Sequence, residues 1–144
     1  MKELSIFDIV GPNMIGPSSS HTAGALEIAR QARLSISQDI SSVSFILYGS
    51  FARTYQGHGT DRALLGGILG YDTTDSRIKD AFAMAKQAGL SYEFVPDFNT
   101  DAGHPNTVDI IIETTSNTII KARGVSLGGG EAKLLYTNEE REGV

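Results

Sequence analysis

Apolar residues fall two apart at Val108, Ile110 and Ile112, a polar stretch follows at Thr114-Thr115-Ser116-Asn117, and Ile119–Ala122 is apolar again. A period of two places one set of side chains on one face of a strand, and a polar turn between two such runs predicts a hairpin. The apolar face of that hairpin needs a covering layer, and the first half of the chain provides one. Ala25, Ile28, Ala29 and Ala32 recur at helical spacing as far as Leu34, so residues 21–34 read as an amphipathic helix. Residues 42–48 are nearly all β-formers in a run too short for an ordinary helix, which predicts a buried strand.

Further elements follow from the same reasoning. Residues 3–10 form a short apolar element ended by Gly11-Pro12, and residues 49–57 turn the chain, with a helical turn at Phe51–Thr54. Thr60-Asp61 opens a second helix carrying Ala63, Leu64, Ile68 and Leu69, within which Gly66-Gly67 allow another backbone to approach. Asp75 reads as the N-cap of a third, with Ile78, Ala81, Phe82, Ala85 and Ala88 on one face and Gly89 at its end. Tyr92–Phe94 is a short strand, and Lys133–Tyr136 a last one. The order helix, strand, helices, then three or four antiparallel-type strands predicts an α+β fold, a mixed or antiparallel sheet of four to five strands with helices packed on it. No internal repeat or linker divides the chain, so one domain over residues 1–137 and a polar C-terminal tail over residues 138–144 are expected. A chain of 144 residues with 40% hydrophobic composition can bury roughly two-thirds of its unfolded surface.

Composition narrows the function. The net charge is -5 and Lys and Arg never form a run, which argues against nucleic acid or an anionic membrane as partner and for a small ligand. No apolar stretch approaches the roughly 18 to 20 residues of a membrane span, and no charged-then-apolar leader opens the chain, so a cytoplasmic location is expected. The absence of cysteine removes disulfides, a thiolate nucleophile, zinc-thiolate sites and the usual ligands of an iron-sulfur cluster.

All three histidines lie in Gly- or Ser-rich surroundings: Ser20-His21-Thr22, Gly57-His58-Gly59 and Gly103-His104-Pro105-Asn106. A histidine taken alone is more often structural or exposed, but none of the three sits on an apolar face, and loops on a rigid scaffold are where binding residues gather. Ser18, Ser19, Ser20, His21 and Thr22 stand at the start of the first helix, where backbone N–H groups lack partners. Those donors, the hydroxyls and the positive end of the helix dipole can hold a carboxylate or phosphate, whereas the plain alternative is one N-cap serine in a loop. Gly128-Gly129-Gly130 lacks the spacing of a phosphate loop and reads either as bare backbone approaching a ligand or as a flexible turn. Thr60-Asp61 reads as a helix cap, or less simply as a carboxylate that orients His58. The spacing of the histidines contains no metal-ligand motif, so no metal site is expected within the chain. A serine hydrolase is weaker still, because no nucleophile elbow is present.

Taken together, the segment from Phe7-Asp8 through Ile15-Gly16-Pro17-Ser18-Ser19-Ser20-His21-Thr22-Ala23-Gly24 resembles the opening of the serine dehydratase beta-chain family. Three further segments resemble that family's motifs in the same order: residues 57–67, His104-Pro105-Asn106-Thr107, and Ser126–Gly130. The resemblance implies deamination of L-serine to pyruvate and ammonia, without pyridoxal phosphate. It also implies a 4Fe-4S cluster bound by a partner alpha chain, acting as Lewis acid on the serine hydroxyl. In that scheme His21, His58 and His104 line the cleft as catalytic candidates. Ser18, Ser19, Ser20, Thr22, Asn106, Gly128 and Gly129 are substrate-binding candidates, and pairing of two copies through this domain is a further expectation. Many family members carry a regulatory ACT domain for which this chain has no length, so a short form or an excised piece is expected. A related domain in some phosphoglycerate dehydrogenases supplies the alternative, a non-catalytic anion-binding regulatory module.

Overall fold

A computed structural model describes residues 20–56, 59–128 and 131–141. Helix α1 (Ser20–Leu34) leads into strand β1 (Ile40–Tyr48), then short α2 (Gly49–Thr54) and α3 (Thr60–Ile68). A 3-10 turn (Ser76–Asp80) precedes α4 (Ala81–Gln87), and four strands follow: β2 (Ser91–Asp97), β3 (Thr107–Thr114), β4 (Thr118–Gly128) and β5 (Glu131–Arg141). The strands form one sheet in the order β2-β1-β3-β4-β5. The α+β expectation holds, and the sheet is mixed: β2 runs parallel to β1, and every other neighbouring pair is antiparallel.

The periodicities of the chain explain which faces are buried. Val43, Phe45 and Leu47 of β1, Val108, Ile110 and Ile112 of β3, and Ile120 and Ala122 of β4 are all buried on the face that meets the helices. From the helical side come Ala25, Leu26, Ile28 and Ala29 of α1 and Ala63, Leu64, Leu65 and Ile68 of α3. Each large aliphatic or aromatic side chain moved out of water here contributes about 1.5–3 kcal/mol. Two glycines let the layers close. A Cβ on Gly67 would lie 2.5 Å from the Leu26 carbonyl oxygen and 2.7 Å from the Ala29 Cβ, so α3 crosses α1 nearly backbone to backbone. Gly24 of α1 is pressed against Ser126 of β4 in the same way.

The hairpin forms as the pattern requires: Asn117 takes a left-handed φ of 67°, and its N–H donates to the Thr114 carbonyl at 3.1 Å. Three elements differ from expectation. Asp75 does cap, accepting the Arg77 N–H at 2.9 Å, but what it caps is the 3-10 turn, and the α-helix starts only at Ala81. The same carboxylate grips the Arg77 guanidinium, which lies over the Tyr71 ring at 4.2 Å, and this local clasp tightens the first turn. β2 joins the outer edge of β1 in parallel because its connection to β1 runs through the intervening helices, the geometry of a crossover. The stretch expected as a tail from residue 138 is strand as far as Arg141, which pairs with Thr118. Residues 3–10 lie outside the described part of the chain.

Candidate functional site

Ser20 and His21 head α1, with only their backbones described; Ser18, Ser19, His58 and Gly129 lie outside the described residues. The first turn of α1 carries no acidic side chain, so nothing on the helix itself neutralises its N-terminal dipole. Thr22 is buried, and a Cβ on Gly59 would lie 3.8 Å from its methyl group, which puts the start of α3 beside the start of α1. On the other side of α1, Gly24 sits on the Ser126 hydroxyl. Ser126 is tied to the loop before β3, its N–H donating to the Asn106 carbonyl at 3.0 Å.

Elements far apart in sequence thus bring Thr60, Asn106 and Ser126 around the first turns of α1. The Thr60 hydroxyl, the Asn106 side-chain oxygen and the Ser126 hydroxyl are each buried, and among the described residues none has a hydrogen-bond partner. Leaving such a group unpaired costs about 1–3 kcal/mol. One more unpartnered hydroxyl, Thr118, belongs to the hairpin at the far end of β4. The expected Thr60-Asp61 cap is not what forms: the cap position belongs to Gly59, with φ 84°, while Asp61 merely accepts the adjacent Arg62 N–H. Thr60 is thereby left free of a capping role. Neither Thr60 nor Ser126 stood out in the sequence as a contact residue; the available signal was their place within the motifs at residues 57–67 and 126–130.

His104 occupies the loop between β2 and β3. Its Nδ1 accepts the Asn106 N–H at 3.1 Å, its carbonyl accepts the Thr107 hydroxyl at 2.6 Å, and the Pro105 carbonyl accepts the Ser50 N–H at 2.7 Å. With Nδ1 engaged as acceptor, a neutral His104 carries its proton on Nε2. The ring borders a pocket of about 270 Å³ lined also by Tyr48, Gly49 and residues 100–103. Gly49, with φ 56°, permits the close approach, since a Cβ there would lie 2.5 Å from the Pro105 oxygen. Gly103 supplies only a left-handed bend, with open space around it, and Gly128 is likewise an exposed left-handed corner at the end of β4.

Behind the pocket, Tyr48 donates its hydroxyl to Asp109 at 2.7 Å, and Asp109 receives two hydrogen bonds from Arg123, at 2.6 and 2.8 Å. Burial, and then the Asp109 carboxylate, push the Tyr48 phenol up to about 12, and Asp109 holds the Arg123 guanidinium still more firmly protonated than usual. Asn106 connects this pocket to the helix start, because its N–H holds His104 while its carbonyl holds Ser126. Among the described residues no group of three or more His, Asp or Glu stands together, and no helix is long and apolar enough to cross a membrane.

A mixed sheet packed under helices, with Ser126 and the start of α3 beside the first turns of α1, defines an α+β domain. The chain belongs to the serine dehydratase beta chain family, which it matches over residues 5–127. It is 49% identical to the L-serine dehydratase beta chain of Peptoniphilus asaccharolyticus over 138 residues, 96% of this chain and 62% of that one. Identity to the probable L-serine dehydratase beta chain of Bacillus subtilis is 46%, with the same coverage. An L-serine dehydratase of Helicobacter pylori is 31% identical over 161 residues, 98% of this chain but 34% of its own length. The chain therefore spans about 62% of the length of the two beta chains it matches.

Proposed function

We propose that this chain is the beta subunit of an L-serine dehydratase, acting with an alpha chain to convert L-serine to pyruvate and ammonia. The observation that supports the reading is that Thr60, Asn106 and Ser126, on segments that meet near the start of α1, carry buried polar atoms without a partner among the described residues. The serine carboxylate is bound at the N-terminal end of that helix, beside Ser18, Ser19, Ser20 and Thr22, with the dipole favouring its charge. The three polar groups then complete their hydrogen bonds on the substrate. The names of the relatives favour this role over the regulatory module of phosphoglycerate dehydrogenases.

The reaction removes a proton from Cα and breaks the bond from Cβ to the hydroxyl oxygen; the resulting enamine passes to an imine, and water releases ammonia and pyruvate. His21, His58 and His104 are the proton-handling candidates of this chain, and Gly128 and Gly129 close the site through backbone. His104, with Nδ1 already occupied, offers its Nε2–H and so serves as a hydrogen-bond donor. A chain without cysteine has no thiolate for a 4Fe-4S cluster, so its donor set does not fit one. A 4Fe-4S cluster would be held by the alpha chain and would supply Lewis-acid chemistry from that side. A cytoplasmic location and assembly with the alpha chain complete the reading, and two such pairs can join through this domain.

The experiment is anaerobic purification of both chains together, followed by an assay of pyruvate from serine. Turnover that requires this chain supports the subunit reading. Full turnover by the alpha chain alone, or an inactive intact pair, overturns it.

A further inference from the structure

The sheet face away from the helices carries a charged pair whose position invites a question. Asp109 and Arg123 are direct cross-strand partners on β3 and β4, and Asp109 stands opposite Ile46, two residues before the end of β1. Both side chains are mostly shielded, at 18% and 24% exposure, and their two hydrogen bonds form a planar fork. A half-buried carboxylate that accepts two bonds from arginine keeps further acceptor sites, and the Tyr48 hydroxyl fills one of them at 2.7 Å. The Arg123 guanidinium also lies 5.2 Å from the centre of the Tyr48 ring. The phenol is thus held both at its tip and on its face.

What the held ring supports is the His104 loop. Tyr48 is 6% exposed and forms a wall of the pocket that His104 borders. The two residues that follow it are the ones the loop rests on: Gly49 packs against Pro105, and Ser50 N–H holds the Pro105 carbonyl at 2.7 Å. Hydrogen bonds run from Arg123 through Asp109 to Tyr48, and the chain then carries the connection through Gly49 to Ser50, whose N–H holds the Pro105 carbonyl beside His104.

We propose that Tyr48 is a positioning residue for His104, anchored in place by the Asp109–Arg123 ion pair. The proposal rests on the reading of His104 as a reacting group. Tyr48 itself handles no proton in the reaction; it fixes the pocket wall and the corner of chain from which the imidazole is presented.

The test is a set of variants in the enzyme reconstituted with its alpha chain. Tyr48→Phe keeps the ring and loses the bond to Asp109, and it should lower kcat about 10- to 100-fold, the cost of a misplaced reacting group. KM for serine should change less, since substrate binding is served by the α1 start. In a His104→Ala background the same substitution should cost nothing further, because there is no imidazole left to position. Additive losses in the double variant, or a Tyr48→Phe enzyme with full kcat, would overturn the proposal. Full kcat in His104→Ala alone would instead sink the reading of His104 on which it rests. Arg123→Lys should retain more activity than Arg123→Met. Should a variant fail to assemble with the alpha chain, isotope-labelled histidine in this chain decides by magnetic resonance. The His104 ring signals should shift in Tyr48→Phe relative to the parent chain; unchanged ring signals in the variant refute positioning.

Discussion

The Asn106 N–H donates to the Nδ1 of His104 at 3.1 Å, so one residue of the loop sets the tautomer of another two positions away. The consequence is chemical: a neutral imidazole in this arrangement presents an N–H at Nε2 and no free lone pair. Glutamine can place an amide N–H near the Nε2 position, whereas asparagine reaches only that of Nδ1. His104→Gln should therefore retain kcat within about tenfold, while His104→Asn and His104→Ala lose about 100-fold or more. Equal losses in all three, measured as kcat on serine with both chains present, would show that donation from Nε2 is not the role.

Ser126 and Thr60 should behave unlike ordinary buried polar residues. Each carries a hydroxyl without a partner among the described residues, so Ser126→Ala or Thr60→Val removes a group that costs about 1–3 kcal/mol to bury. The melting temperature should hold or rise, while KM for serine rises about 10-fold through loss of a hydrogen bond to a charged group. A fall in melting temperature with no change in KM would mean that the hydroxyls serve the fold and not the ligand.

The close crossing of α1 and α3 depends on Gly67. Its Cβ position is 2.5 Å from the Leu26 carbonyl, and backbone cannot move aside as a flexible side chain can. Gly67→Ala should destabilise the chain by about 1–3 kcal/mol or more, seen as a lower urea midpoint. Gly70→Ala makes the contrasting control: no neighbour lies within 4 Å, and any cost there comes from its φ of 92° alone.

Two titrations act on stability with opposite sign. The Asp75 carboxyl is held down at about 2 by hydrogen bonds from Arg77, against 3.8 for a free aspartate, so its contribution is present above pH 4 and is lost as pH falls toward 2. The Tyr48 phenol is pushed up to about 12 from 10.0, so its contribution is complete below pH 10 and is lost as pH rises toward 12. Urea unfolding across pH should show the acid slope diminished in Asp75→Asn and the alkaline slope diminished in Tyr48→Phe. Slopes identical to those of the parent chain would exclude these pairs as the cause.

Much of the fold was legible residue by residue. The spacing of Ala25, Ile28, Ala29 and Ala32 and the alternation of Val108, Ile110 and Ile112 report directly which side of the backbone meets the core, because the periods of helix and strand are set by local geometry. The first helix, read over residues 21–34, and the polar turn ending at Asn117 were legible from local pattern as well. Of the site, the His104-Pro105-Asn106 loop could be picked out from its composition, and Asn106 proved to be a structural link as well as a candidate contact.

Other features depended on residues distant in the chain. That β2 lies parallel to β1, that β5 continues to Arg141 against Thr118, and that Tyr48, Asp109 and Arg123 meet across three strands are matters of pairing and register, which no local pattern encodes. The same holds for the polar groups around α1: Thr60 and Ser126 are ordinary residues until Gly24 and Gly59 let their elements close and exclude water from them. By itself the sequence determined the elements, their buried faces and the absence of any thiolate, since these follow from backbone period and residue chemistry. Only the tertiary structure decided which polar atoms lose their water without gaining a partner, because desolvation is a property of what the rest of the chain brings near.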